Sequence, residues 1–267
     1  RGLCRRGSRM SSSNYRFTLI EESAVFEPYL SAEIKKYASL WRPSEFELPQ
    51  NDPGLAAAFF TFTKPNALFY VPKLQTRTLA HKNNHYLAAL AHALGTRNGL
   101  LVSWLVPGED TPPFIDCEHL LIRLPEVFYC SSSKNLVTDW IDKILSRKRI
   151  SVRGNRPLRL IGRHLLVQMT VAAALKCLAN PGFDGVYSLA ANGETSLFEL
   201  IGFIKSVLQR LLPNHKLAQI SFADEKPVLP AQDLDTAFME NFSVILPSWR
   251  NGVEETIVAY LLNRKFF

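Results

Sequence analysis

No run of apolar residues in this chain approaches the roughly 20 that a membrane-spanning helix needs, so no membrane contact is expected. Cysteine is scarce. Cys4, Cys117, Cys130 and Cys177 stand far apart, and no Cys-x-x-Cys occurs. That removes the usual paired spacing of a zinc or redox site and reads as reduced thiols of a cytoplasmic protein. Acidic residues are missing from SRKRISVRGNRPLRLIGRH (146–164), which holds seven Lys or Arg. Glycine is missing from RFTLIEESAVFEPYLSAEIKKY (16–37).

The net charge is +7, but Arg1, Arg5, Arg6 and Arg9 account for four of those charges. The opening RGLCRRGSR lacks the apolar segment of a secretory signal. Residues 1–14 are therefore expected to be a disordered tail or codons translated upstream of Met10. With the tail set aside, the basic excess is too small to point to nucleic acid, and none is expected as a partner.

Of the 267 residues, 47% are apolar and 21% charged. That is the composition of a globular domain with ample material for a core. Residues 15–21 read as a strand, and 27–40 as a helix with Leu30, Ile34 and Tyr37 at helical spacing. LAAAFFTFTK ends before Pro65 and reads as a helix. NALFYVP (66–72) is a short apolar strand and 76–95 a helix stopped by Gly95. GLLVSWLVPG (99–108) and HLLIRLPEVF (119–128) read as two further strands. NLVTDWIDKIL is a helix, RISVRG a strand, 163–179 a helix, GVYSLA a strand and SLFELIGFIKSVLQRLL a long helix. Apolar strands alternating with helices imply a parallel sheet covered on both faces. The predicted fold class is α/β, a Rossmann-like doubly wound parallel sheet with a small carboxyl-terminal substrate-binding subdomain. The boundaries expected are 15–160 for the Rossmann-like part and 161–267 for the part holding that subdomain.

GVYSLAANGETSLFELIGF (185–203) and KPVLPAQDLDTAFMENFSVILPSWRNGVEETI (226–257) resemble the carboxyl-terminal end of dTDP-4-dehydrorhamnose reductases. The matching pieces are Gly-Val-Tyr-x-Leu-Ala, Gly-Glu-Thr-Ser at a helix start, Leu234-Asp235-Thr236, Phe242 and Leu246-Pro247-x-Trp249. Several short pieces in the right order are more specific than any one. Singly, each is accounted for by helix capping, as at Thr195 or Ser196, or by packing, as at Trp249. The resemblance implies an extended short-chain dehydrogenase that binds a sugar nucleotide and NADPH or NADH.

Against that family, three features are absent. The first is the glycine-rich loop that lets a backbone approach a pyrophosphate above a helix N-terminus. Glu21, Glu22 and Glu27 stand there, and at close range they repel phosphate. The second is the Tyr-x-x-x-Lys pair, in which Tyr moves a proton and Lys lowers its pKa. None of the eight tyrosines has Lys four residues on. The third is room: PGEDTPPFIDCE (107–118), with three prolines, is too short to hold the helix that carries the pair. Glu126 also stands where the family has Trp.

No catalytic residue and no cofactor are expected on this reading. The expectation is a degenerate, non-catalytic protein that binds a sugar nucleotide, with a dTDP-sugar as the ligand the resemblance implies. Two alternatives are an active NAD(P)H-dependent reductase with nonstandard machinery and a regulatory protein that binds a protein partner. Candidate substrate or anion contacts are Ser103 and Arg123 on the strands resembling the family's active-site strands. Arg153, Arg156 and Arg159 join them from the turn that replaces the family's Gly-x-Pro-Thr. A solvated basic loop is the plainer reading of those three. His81, His85 and His92 share a helix face but have no neighbouring carboxylate or cysteine, so no metal is expected. Cys117 with Asp116 and His119 is too compressed in sequence for a nucleophilic triad.

Overall fold

The computed structural model describes residues 15–21, 26–44, 47, 52–72, 80–95, 99–105, 117–180, 182–223 and 236–266. The first half is a repeated strand–helix alternation: β1 (Arg16–Glu21), α1 (Glu27–Ile34), β2 (Ser39–Trp41), α2 (Pro53–Thr63), β3 (Ala67–Val71), α3 (Ala80–Gly95), β4 (Leu100–Leu105) and β5 (His119–Arg123). Then follow β6 (Val127–Tyr129), α4 (Leu136–Leu145), β7 (Ile150–Val152), β8 (Pro157–Leu158), β9 (Leu160–Gly162) and α5 (Arg163–Ala179). The chain closes with β10 (Gly185–Ser188), β11 (Thr195–Ser196), α6 (Leu197–Leu211), β12 (Ile220–Phe222), α7 (Ala237–Phe242) and α8 (Trp249–Asn263).

Six strands form one sheet in the order β10-β5-β4-β3-β1-β2. Every neighbouring pair in it is parallel. All residues of β3 and β4 are buried, as strands covered on both faces must be. On one face, Phe17, Leu19, Phe69, Val102, Trp104 and Ile122 pack with α1, α5 and α7. On the other, Leu68, Tyr70 and Leu101 pack with α2 and α3. This is the doubly wound α/β arrangement that the alternation predicts. The order reverses at β1, whose neighbours are the next strand on one side and the third on the other. A crevice outside the carboxyl ends of strands at such a point is where open α/β sheets bind ligands.

A second core lies beyond the sheet. It joins Val127 and Tyr129 of β6, Val137, Ile141 and Ile144 of α4, Ile201 and Ile204 of α6, and Trp249, Val253 and Ile257 of α8. β6 pairs in parallel with β9 outside the large sheet.

Local chemistry explains most boundaries. Asp52 accepts the Leu55 N–H, Pro53 starts α2, and Lys64 ends it in the left-handed conformation before Pro65. Asn135 caps α4 by accepting the N–H groups of Val137 and Thr138, and Thr138 Oγ1 in return accepts the Asn135 N–H. Two elements differ from the sequence reading. The helix expected over 27–40 ends at Ile34, and Ser39–Trp41 is the edge strand β2. Leu40, expected to end that helix, lies instead in β2. The single strand expected over 119–128 is two, β5 and β6, in different sheets. Pro125 lies in the break and has no N–H for a ladder.

Candidate ligand cleft and the closed first crossover

The crossover from β1 to α1 starts with Glu21, the last residue of β1. Its Oε1 accepts the Phe26 N–H at 3.0 Å. The Glu27 N–H lies close enough to pull this carboxyl's pKa down. The side chain therefore turns back onto the amino end of α1, where the helix N–H groups have no intrahelical partner and the helix dipole favours negative charge. Burial pushes the carboxyl up to about 7, against the opposing pull of the Phe26 and Glu27 N–H groups. Nearby Glu27 pushes it further up, while Arg42 pulls it down. Glu27 is itself held by Arg42 and by the Ser31 hydroxyl. Glu22 and residues 106–116, the bulk of the connection expected to be too short for a catalytic helix, lie outside the described residues.

Phe26 closes the same corner. It is fully buried, with its ring centroid 4.5 Å from that of Trp104 and 4.9 Å from that of Phe128. Trp104 Nε1 donates to Thr170 Oγ1 at 3.0 Å, which fastens β4 to α5. Of the described residues at this corner, the Phe26 N–H is taken by Glu21, and a second carboxylate, Glu27, stands beside it.

A cleft of about 470 Å³ lies between the first turn of α1, the start of α5, the loop after β6 and α8. Tyr29, Tyr129, Ser131, Arg163, Gln168 and Glu255 line it. Arg163 is only 6% exposed. Its guanidinium lies 3.5 Å from the centre of the Tyr29 ring, a cation–π contact, and its Nη1 donates to Ser132 Oγ at 2.6 Å. Gly162 precedes α5 without a side-chain cap, and no acid occurs in the first turn. This end of the cleft is cationic, and the rim residue Glu255 is its one acidic lining residue.

Tyr129 forms the floor. It is 1% exposed and sits between two glycines. A Cβ on Gly162 would come within 2.9 Å of its ring, and one on Gly252 within 2.4 Å of its Oη. Burial holds its phenol well above the usual tyrosine range. Tyr260 has Arg264 four residues on, the nearest approach to a Tyr-x-x-x-Lys spacing. Burial, then its hydrogen bond to Asp142, pushes its phenol up to about 12. Its Oη donates to Asp142 at 2.9 Å, and Arg264 pairs with the same carboxylate at 3.0 Å. The set ties α8 to α4. Burial thus disfavours the phenolate form of both residues.

None of the five residues expected to contact substrate lines this cleft. Ser103 is buried in β4 on the face it shares with Leu101, toward α2 and α3. Arg123 is exposed at the end of β5, and Arg153 and Arg156 are exposed near β8. Arg159 lies 3.8 Å from Glu194. The basic stretch does contribute Arg163, its last cation and the buried one, which the sequence does not single out. Its signal was a helix start, Gly162-Arg163, without a capping side chain. The His119 ring faces the Cys117 carbonyl oxygen at 3.1 Å. His92 is exposed, and the side chains of His81 and His85 lie outside the described part of the structure. Among the described residues no group of three His, Cys, Asp or Glu could hold a metal, and no helix is long and apolar enough to cross a membrane.

A parallel doubly wound sheet, with a second core of β6, α4, α6 and α8 beside it, defines a Rossmann-like fold. Solved structures make the class narrower. The chain is similar to dTDP-4-dehydrorhamnose reductase from Bacillus anthracis in complex with NADP, with 15% identity, a TM-score of 0.66, and 92% of this chain and 99% of that one covered. It is similar to a GDP-mannoheptose C4 reductase from Campylobacter jejuni with NADP bound, at 12% identity and a TM-score of 0.66, covering 94% and 99%. A GDP-L-fucose synthetase from Naegleria fowleri bound to NADP matches at 10% identity and 0.66, with 94% of each covered. The fold is thus that of the dTDP-4-dehydrorhamnose reductases and related sugar-nucleotide reductases, along nearly the whole chain. No protein-family model matches, and no curated protein matches by sequence.

Proposed function

We propose that this protein binds a nucleoside-diphosphate sugar without reducing it. The observation that carries the reading is the cleft at the start of α5, where Arg163 is buried against Tyr29 and uncapped helix N–H groups face the same space. A diphosphate is matched by the guanidinium and those N–H groups, and sugar hydroxyls by Ser131, Gln168 and Asn251. The fold shared with sugar-nucleotide reductases supports this class of ligand, and a dTDP-sugar is its first candidate. The absence of reduction rests on the crossover. Glu21 takes the Phe26 N–H at the start of α1, Phe26 and Trp104 pack the corner, and no tyrosine carries a Lys four residues on. Burial raises the phenol of Tyr129 in the cleft and that of Tyr260 outside it, which does not favour either as the tyrosine of such a pair.

The test is calorimetric titration of the full chain with dTDP-glucose and, separately, with NADPH. The reading expects saturable heat with dTDP-glucose, none with NADPH, and no NADPH oxidation when a dTDP-4-keto sugar is added. NADPH binding with turnover would restore the reductase, and heat with neither ligand would remove the ligand assignment.

A further inference from the structure

The loop from Cys130 to Asn135 joins β6 to α4, and its hydrogen bonds leave it little freedom. Asn135 Oδ1 accepts the N–H groups of Val137 and Thr138 at the start of α4. Its Nδ2 donates to the Cys130 carbonyl at 2.6 Å and to the Ser133 carbonyl at 2.8 Å. Cys130 Sγ and Ser133 Oγ lie 2.9 Å apart. Both ends of the loop are therefore tied to the first turn of α4. Between them stands Ser132, which is exposed. Its Oγ nevertheless accepts a hydrogen bond from Arg163 Nη1 at 2.6 Å, across 31 residues of sequence. That is as short as charge-assisted bonds of this kind become. The arginine it meets is buried, with the Tyr29 ring centre 3.5 Å from its guanidinium carbon. The two contacts fix different motions. The ring opposes a face of the planar guanidinium, whereas Ser132 takes an N–H in the plane and so opposes rotation within it.

We propose that Ser132 is a positioning residue for the cleft: its hydroxyl, fixed by the loop that Asn135 ties down, holds the Arg163 guanidinium against Tyr29 before any ligand arrives. The proposal rests on the reading that the cleft takes a nucleoside-diphosphate sugar, and it deepens that reading. Ser132 does not line the cleft itself. It lines the neighbouring hollow on the other side of the loop, with Lys134 and Asp142. Its effect on a ligand therefore passes through Arg163. Arginine is among the side chains with most rotamer freedom, and a guanidinium fixed in advance loses none of it when a diphosphate binds. Removing the hydroxyl returns that freedom to the free protein and weakens binding without removing a ligand contact.

The experiment compares the natural chain with Ser132→Ala, which lacks the hydroxyl, and Ser132→Thr, which keeps it. Thermal denaturation first establishes that each variant retains a cooperative transition. The first readout needs no ligand. Side-chain nuclear magnetic resonance of arginine, with the Arg163 signals assigned through Arg163→Lys, follows rotation of the guanidinium. The natural chain and Ser132→Thr give separate Nη proton signals for Arg163, and in Ser132→Ala those signals merge. The second readout is calorimetric titration with dTDP-glucose. Ser132→Ala binds about tenfold more weakly, the order expected for one lost hydrogen bond to a charged group, and Ser132→Thr binds as the natural chain does. Separate Arg163 signals in Ser132→Ala would overturn the proposal. Merged signals with undiminished affinity would overturn it too, as would a Ser132→Thr chain that behaves like Ser132→Ala. A natural chain that binds no dTDP-glucose would remove the ligand reading of the cleft, while the arginine signals would still decide whether Ser132 holds Arg163.

Discussion

Gly252→Ala should unfold more easily than the natural chain, although the same change in a helix usually stabilises. Gly252 sits inside α8, where replacing Gly by Ala gains about 1 kcal/mol of helix propensity. The added methyl, however, would come 2.4 Å from Tyr129 Oη and 3.4 Å from Cζ. The ring has nowhere to go. It is 1% exposed, and on its other side the backbone of Gly162 already lies so close that a Cβ there would meet the ring at 2.9 Å. Overpacking of this kind costs about 1–3 kcal/mol, and the pinned ring argues for the upper end. The net expectation is a loss of about 2 kcal/mol, or roughly 4–8 °C in a chain of this size. Gly202→Ala is the matched control, because Gly202 lies inside α6 with nothing within 4 Å of its added methyl. It should gain about 1 kcal/mol. Tyr129→Phe removes the clashing oxygen, so the Gly252→Ala/Tyr129→Phe pair should recover most of the loss, with a coupling energy of at least about 1 kcal/mol. Urea denaturation of the natural chain, Gly252→Ala, Gly202→Ala, Tyr129→Phe and the double variant measures each quantity. Equal shifts for Gly252→Ala and Gly202→Ala, or no recovery in the double variant, would show that Tyr129 is not wedged between the two glycines.

Two further outcomes follow from groups around the site. The Glu21 carboxyl titrates near 7 in the folded chain, against 4.5 for the model carboxyl, because burial disfavours its charged form. The folded chain thus keeps a proton that the unfolded chain releases, and stability from this proton is complete below the unfolded value and lost as pH rises through 7. Melting temperature against pH should therefore fall across that window in the natural chain relative to Glu21→Gln, and parallel profiles would contradict it. Asn135→Ala should cost about 2 kcal/mol, the upper end for an N-cap, since the side chain also donates to the carbonyls of Cys130 and Ser133. Denaturant unfolding checks this, and a cost below about 0.5 kcal/mol would show that the cap is replaceable by water.

The order and type of the main elements were readable because both physical signals were strong. Apolar runs such as NALFYVP can only be strands buried on two faces, and α5 begins and ends where its sequence pattern says. The failures have a common cause. Leu40 and Val127 belong to three-residue strands, too short for periodicity to distinguish them from the end of a helix or the tail of a neighbouring strand. Their pairing with β1 and β9 decides them, and that pairing is not local. The site divides in the same way. That acids replace glycine at the first crossover is legible from residues 21–28. That Glu21 would cap α1 is not, because a side chain reaching five residues ahead depends on the turn between. Arg163 looked like one cation among seven. Only the packing of α1 against α5 shows that it is the one sealed under a tyrosine.

That packing also joins the closed crossover to the open cleft. Glu21 and Phe26 fix the first turn of α1, and Tyr29, three residues after Phe26, is in that turn. Its ring is the surface on which the Arg163 guanidinium rests. The covalently attached Glu21 side chain holds the Phe26 N–H at the start of α1. It thereby helps to set the position of one wall of the cleft.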